Sequence, residues 1–150
     1  SPADGKVTEI VTEKEPINGE ICKRVTIFLS VFNVHVNRVP IGGTIEDIRY
    51  NPGKFLAAFN PKASMDNEQN IILINNGKTN VLVKQIAGLI ARRIVCWPNK
   101  GDQYQPGQRY GLIRFGSRVD ILLPENIKLS VVCGDIVSGG QSIIGYLSPS

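Results

Sequence analysis

The residues of this chain most able to do chemistry centre on the run Arg114-Phe115-Gly116-Ser117-Arg118-Val119-Asp120. A hydroxyl that follows glycine can approach the carbonyl in front of it, because glycine has no Cβ to block attack and tolerates a strained backbone. Gly116-Ser117 therefore reads as a bond the chain could cut in itself, while the plainer reading of the same pair is a turn or bulge. Serine is a weak nucleophile until an oriented base takes its proton. One imidazole is available, His35, within Phe32-Asn33-Val34-His35-Val36-Asn37-Arg38-Val39-Pro40-Ile41-Gly42-Gly43. In an alternating strand His35 and Asn37 point one way, and Val34 and Val36 point to the other, apolar face; the imidazole then lies on the more polar side. Asp4, in the opening Ser1-Pro2-Ala3-Asp4-Gly5-Lys6-Val7, precedes glycine as turn-shaping aspartates do. Asp102 and Asp135 in Gly-Asp hairpins read the same way. Arginine forks suited to phosphate flank the Gly-Ser pair at Arg114 and Arg118 and occur at Arg38, Arg92, Arg93 and Arg109. For at least half of these a solvated face or a local ion pair is explanation enough.

The elements that must position these residues are strands. Beta-branched runs at 25–31, 34–39, 70–74, 81–86, 90–95, 110–115, 119–123 and 129–132 are separated by Asn-Pro-Gly, Asn-Asn-Gly, Gly-Asp and Gly-Gly turn chemistry. The pattern predicts a mainly β fold, a compact barrel or sandwich of short twisted strands with little helix. The best helical candidate is a turn or two over Gly53–Ala58. Glycine-spaced segments at 101–108 and 134–145 look like the hairpins of barrel-sandwich hybrid folds in biotinyl and lipoyl carriers, a likeness of architecture alone. A carrier would present lysine at the tip, where Val137 and Ser138 are expected here.

At 150 residues the chain is read as one domain able to bury a core without disulfides. Its three cysteines, Cys22, Cys96 and Cys133, are scattered and odd in number, which suggests neither a disulfide framework nor a metal site and fits a reducing compartment. A single histidine cannot supply the nitrogen ligands of a metallopeptidase. The net charge of +4 favours an anionic partner. Nucleic acid is a poor candidate, because the basic residues are dispersed and no stacking motif is present. An anionic membrane surface or a phosphate-bearing ligand suits the charge better. No run approaches the roughly 20 apolar residues of a spanning helix, and no signal peptide opens the sequence.

Taken in order, the Ser-Pro-Ala-Asp-Gly opening, the Asn-Val-His-Val-Asn-Arg segment around His35 and Phe115-Gly116-Ser117-Arg118 resemble the phosphatidylserine decarboxylases, in their short bacterial and archaeal pyruvoyl-dependent form. Asn51-Pro52-Gly53-Lys54-Phe55-Leu56, Asn67-Glu68-Gln69-Asn70, Gln85-Ile86-Ala87-Gly88, Ala91-Arg92-Arg93-Ile94-Val95 and Gly107-Gln108-Arg109-Tyr110-Gly111 extend the resemblance over nearly the whole chain. Gln69 departs from the basic residue often found at its place, and Arg38 stands where longer relatives tend to carry a second histidine. The resemblance implies a triad in which Asp4 orients His35 and His35 activates Ser117. Cleavage after Gly116 would leave a larger β chain (1–116) and a smaller α chain (117–150) that begins with a pyruvoyl group made from Ser117. That group would form a Schiff base with the serine amine of phosphatidylserine, or of an archaeal ether-linked analogue, and accept the electrons left by departing carbon dioxide. His35 would also return the proton. Arg38, Arg114 and Arg118 are the candidates for binding the head group. The family usually carries a hydrophobic anchor upstream and works at the cell membrane, so this chain is expected to be a form without the anchor, peripheral to the membrane, with the active domain cytoplasmic and a homodimer as the family's assembly.

Two other readings use the same residues. A serine hydrolase built on Asp4, His35 and Ser117 keeps an intact chain that reacts with acylating probes. A non-catalytic, carrier-like β-barrel interaction module is indifferent to replacement of Ser117.

Overall fold

The structure, a computed structural model, describes residues 1–29, 35–52, 67–88, 94–113 and 117–147, and of His35 the backbone. Among these residues every regular element is a strand: β1 (Gly5–Lys14), β2 (Ile21–Phe28), β3 (His35–Arg38), β4 (Gly43–Asn51), β5 (Gln69–Asn75), β6 (Asn80–Ile86), β7 (Val95–Cys96), β8 (Gln103–Tyr104), β9 (Arg109–Ile113), β10 (Arg118–Pro124), β11 (Lys128–Leu129), β12 (Ile136–Val137) and β13 (Gly145–Tyr146). The mainly β expectation holds. The helical candidate over Gly53–Ala58, most of the strand expected at 90–95, and Arg92, Arg93, Arg114, Phe115 and Gly116 lie outside the described residues.

An eight-stranded antiparallel sheet in the order β12-β1-β2-β10-β6-β5-β4-β8 forms the body, beside a three-stranded sheet β3-β9-β7 and the pair β11-β13. Period-two alternation gives the large sheet two apolar faces. Val7, Val25, Ile27, Ile72, Ile74, Val81, Val83, Val119 and Ile121 look inward and build the main core with Ile45, Val39, Tyr110 and Ile113. The alternate positions Cys22, Leu73, Leu82 and Leu122 form a second, smaller cluster on the outer face. Each fully buried Val, Leu or Ile contributes roughly 1.5–3 kcal/mol against an exposed reference.

Several strands carry no clear period in the sequence. In β1 a register shift between Val7 and Glu9, and in β4 one between Ile45 and Asp47, each insert an extra residue and break the alternation on which a strand is recognised. β8, β12 and β13 are two residues long. The expected strand at 129–132 ends at Leu129. The hairpin tip expected at Val137 and Ser138 lies further on. Val137 is ladder-paired to Gly5 and buried, and the turn runs through Gly139 and Gly140, where Gly140 takes φ 74°.

Candidate active site

Ser117 stands one residue before β10, the strand that lies between β2 and β6. Its carbonyl accepts the Leu29 N–H at 2.9 Å. Arg118 pairs with Ile86, and Gln69 with Ile86, so one step further along the ladders Ser117, Ala87 and Glu68 stand side by side; the Ala87 N–H donates to the Glu68 carbonyl at 2.9 Å. Ser117 is two residues from inward-facing Val119 and therefore shares its face. All three residues of this row are buried: Ser117 and Ala87 are 0% exposed and Glu68 4%.

The next row inward is Val119, Gln85 and Asn70. Where the rows beyond it are apolar throughout, this one carries two amides, so the polar end of the space between the sheets is the Ser117 end. Gln85 Oε1 accepts from Asn70 Nδ2 at 3.3 Å, while its Nε2 donates to Asn37 Oδ1 at 2.9 Å and to the Val95 carbonyl at 3.2 Å. The Val95 carbonyl can only accept, which fixes the orientation of the Gln85 amide and, through it, that of Asn37. Gly111 makes the approach of the two sheets possible: a Cβ there would sit 2.2 Å from the Val95 carbonyl oxygen and 2.9 Å from Gln85 Nε2. Asn37 Nδ2 and Tyr110 OH are buried in this region without a hydrogen-bond partner among the described residues. Such groups usually cost about 1–3 kcal/mol each.

Asn37 is fully buried against Gln85, whereas Val36 is half-buried, so the face of β3 that carries Asn37 is turned into the inter-sheet space. His35 opens β3 opposite Ile113, two residues from Asn37 towards the end of the ladder where β9 leads into β10. From Ile113 to Ser117 the chain advances four residues, which spans at most about 14 Å. The backbone thus brings the His35 and Ser117 positions to one end of the inter-sheet space.

Asp4 leads into β1 at the same edge. Gly5 lies so close to β2 that a Cβ would fall 2.3 Å from the Phe28 carbonyl oxygen, and Phe28 is followed by Leu29, the residue bonded to Ser117. Asp4 is exposed, and its Oδ1 accepts the Gly139 N–H at 2.6 Å. Arg38 ties three segments together: its N–H donates to the Pro2 carbonyl at 2.9 Å, its Nη1 to the Gly107 carbonyl at 2.8 Å, and its stem packs on Gly140. Arg118 turns to the outer face, opposite Ser117, where Nη2 lies 3.2 Å from Asp120 Oδ2. Asp120 is fully buried and also accepts from Thr26 Oγ1 at 2.9 Å. Arg38 and Arg118 are thus engaged in holding segments together.

A family model described as phosphatidylserine decarboxylase matches residues 1–145. The chain belongs to the phosphatidylserine decarboxylase family. It is 49% identical over 148 residues to a phosphatidylserine decarboxylase proenzyme of Geotalea uraniireducens, covering 98% of this chain and 70% of the relative. To the proenzyme of the same name from Nitratidesulfovibrio vulgaris it is 51% identical over 152 residues, 99% of this chain and 69% of the relative. The Desulfotalea psychrophila proenzyme is 50% identical over 150 residues, 98% and 70%. No solved structure matches the chain.

Family membership makes the unread polar residues of the inner face more pointed. In the sequence, Glu68, Asn70 and Gln85 stand out only as parts of segments that resemble the family. The signal for them is a polar residue at a position whose strand neighbours two residues away are inward and apolar. The cysteines stand apart from this chemistry. Burial pushes the Cys22 and Cys96 thiols up to about 11, with Glu13 and Glu15 adding to the effect at Cys22. Among the described residues no cluster of His, Cys, Asp and Glu could hold a metal ion.

Proposed function

We propose that the chain decarboxylates phosphatidylserine to phosphatidylethanolamine and carbon dioxide, using a pyruvoyl group that it makes from its own Ser117. The relatives are named proenzymes of this activity, and the chain covers about 70% of them. The observation that carries the reading is the place of Ser117: fully buried, at the head of the central strand β10, on the face that looks into the polar end of the inter-sheet space. Such a position fits a group that must be made once and then protected from water. A small neighbour, Ala87, leaves the row beside it uncrowded.

In the processing step His35 takes the proton from Ser117 Oγ, and Oγ attacks the Gly116 carbonyl carbon. The amide C–N bond gives way to an ester. Asp4 orients the imidazole and stabilises its charged form. Elimination across Cα–Cβ of residue 117 then breaks the ester, releasing residues 1–116 with a carboxyl terminus; water adds to the new terminus and ammonia leaves. The pyruvoyl group supplies an electron sink for the pair released with carbon dioxide. His35 delivers a proton to the α carbon that carbon dioxide has left.

The test is release of labelled carbon dioxide from carboxyl-labelled phosphatidylserine. Wild-type protein should release it, Ser117→Ala should not, and His35→Ala should mature slowly or not at all, because base and orienter act as a unit. Labelling of an intact chain at Ser117 by an acylating probe would instead favour a serine hydrolase. Because the substrate is a bilayer lipid, we also assign this chain to a membrane surface. With a net charge of +4 it should sediment more with vesicles containing phosphatidylserine than with neutral ones, and the difference should shrink as salt rises. Equal sedimentation with both at low salt would remove the electrostatic part of that assignment.

A further inference from the structure

Glu68 takes no part in the self-cleavage described above, yet it lies in the row of Ser117, two strand spacings or about 10 Å away. Only Ala87 stands between them, so no side chain on the row itself separates the Glu68 carboxylate from position 117. Glu68 is 4% exposed. Its Oε2 accepts the hydroxyl of Tyr50, while Oε1 is buried with no hydrogen-bond partner among the described residues. A carboxylate oxygen can only accept, and burial without a donor is unfavourable, so the site is complete only with a donor, best a cationic one. The reaction proposed above brings one such group to position 117, the primary ammonium of the serine head group. That ammonium has no lone pair and must lose a proton before its nitrogen can react.

We propose that Glu68 binds the substrate's ammonium through Oε1 and takes one of its protons, an inference that rests on the pyruvoyl reading. An N–H bond breaks, its electron pair stays on nitrogen, and an Oε1–H bond forms. The amine is then free to attack the carbonyl carbon at position 117. The Tyr50 hydroxyl holds Oε2 and so leaves Oε1 as the oxygen presented to substrate. Head groups with a hydroxyl in place of the amine are rejected, because they bring no charge to pair with the carboxylate.

The test uses the full chain and its Glu68→Gln variant, with two readouts besides turnover. The first is cleavage after Gly116, followed by intact mass. The second is borohydride trapping of glycerophosphoserine on the smaller fragment across a range of pH. Glu68→Gln should mature like wild type yet trap at least tenfold less at neutral pH, and trapping should recover as pH is raised through the amine's own pKa, where free amine exists without help. A merely structural role would give no such recovery. Trapping by matured Glu68→Gln at the wild-type level at neutral pH would overturn the inference and leave the pyruvoyl reading intact, whereas a wild-type chain that never cleaves would remove that reading itself. Should Glu68→Gln not fold, Tyr50→Phe carries the same test, since Tyr50 is 57% exposed and its hydroxyl orients the carboxylate. Several-fold weaker trapping at neutral pH supports the role of Glu68, and no change overturns it.

Discussion

Ser117 has no solvent competing for its hydroxyl, and the polar groups around it come from three different strands. In the sequence, Asp4, His35 and Ser117 stand out because the family resemblance gives each of them a role. Glu68, Gln85 and Asn37 could not be given a role, since a polar residue within a β-branched run looks the same whether it faces water or a buried site. Only the register, Ser117 beside Ala87 beside Glu68 and Val119 beside Gln85 beside Asn70, tells the two cases apart. The thiols illustrate the same point with a testable sign. Cys22 and Cys96 are pushed up to about 11, whereas Cys133 is exposed. At pH 8 a thiol reagent should modify native protein once, at Cys133, and three times after denaturation; mass spectrometry of the labelled chain reads the difference. Because the Cys22 and Cys96 thiols hold their protons above the ordinary value of 9.0, their contribution to stability is full below that value and is lost as pH rises from about 9 through about 11. Urea midpoints measured across that interval should fall for wild type and fall less for Cys22→Ala with Cys96→Ala.

At the level of elements, what aligns β3 with the large sheet is a short list of close contacts. Gln85 reaches across to Asn37 and the Val95 carbonyl, and Gly111 leaves room for it. Gly111→Ala would put a methyl 2.2 Å from the Val95 carbonyl oxygen, so β9 must shift. Overpacking of this kind costs typically about 1–3 kcal/mol. A lower thermal midpoint together with slower cleavage is expected, because β9 pairs with β3, which carries His35; an unchanged midpoint would mean the sheets have slack that the contacts deny. The strands read correctly from the sequence, β5, β6 and β10 above all, are the central ones with long β-branched runs. β1 and β4 escaped because a bulge in each interrupts the alternation, and β8, β12 and β13 because two residues carry no period. The ends of the expected strands at 110–115 and 90–95 fall in segments beyond the described residues, so the site's immediate approach to Gly116 is legible only as sequence.

For the whole molecule, cleavage after Gly116 would make the central strand of the sheet the first strand of a separate chain. β10 is held between β2, from Arg118 opposite Phe28 to Pro124 opposite Cys22, and β6, from Arg118 opposite Ile86 to Leu122 opposite Leu82. On the outer face Asp120 joins Arg118 to Thr26, and β12 of the same fragment pairs with β1. The two fragments should therefore co-elute in size-exclusion chromatography under native conditions and separate only in denaturant; separation in buffer alone would show that these ladders do not hold the new terminus in place. The bond before Ser117 decides the chemistry of the whole chain. A denaturing intact-mass spectrum of the purified protein tests it most directly. It should give two species that divide the chain after Gly116, the smaller one starting at residue 117 with a pyruvoyl group in place of serine and no free amino terminus. A single species of full-length mass, with an ordinary Ser117 in protein that is folded, would contradict it.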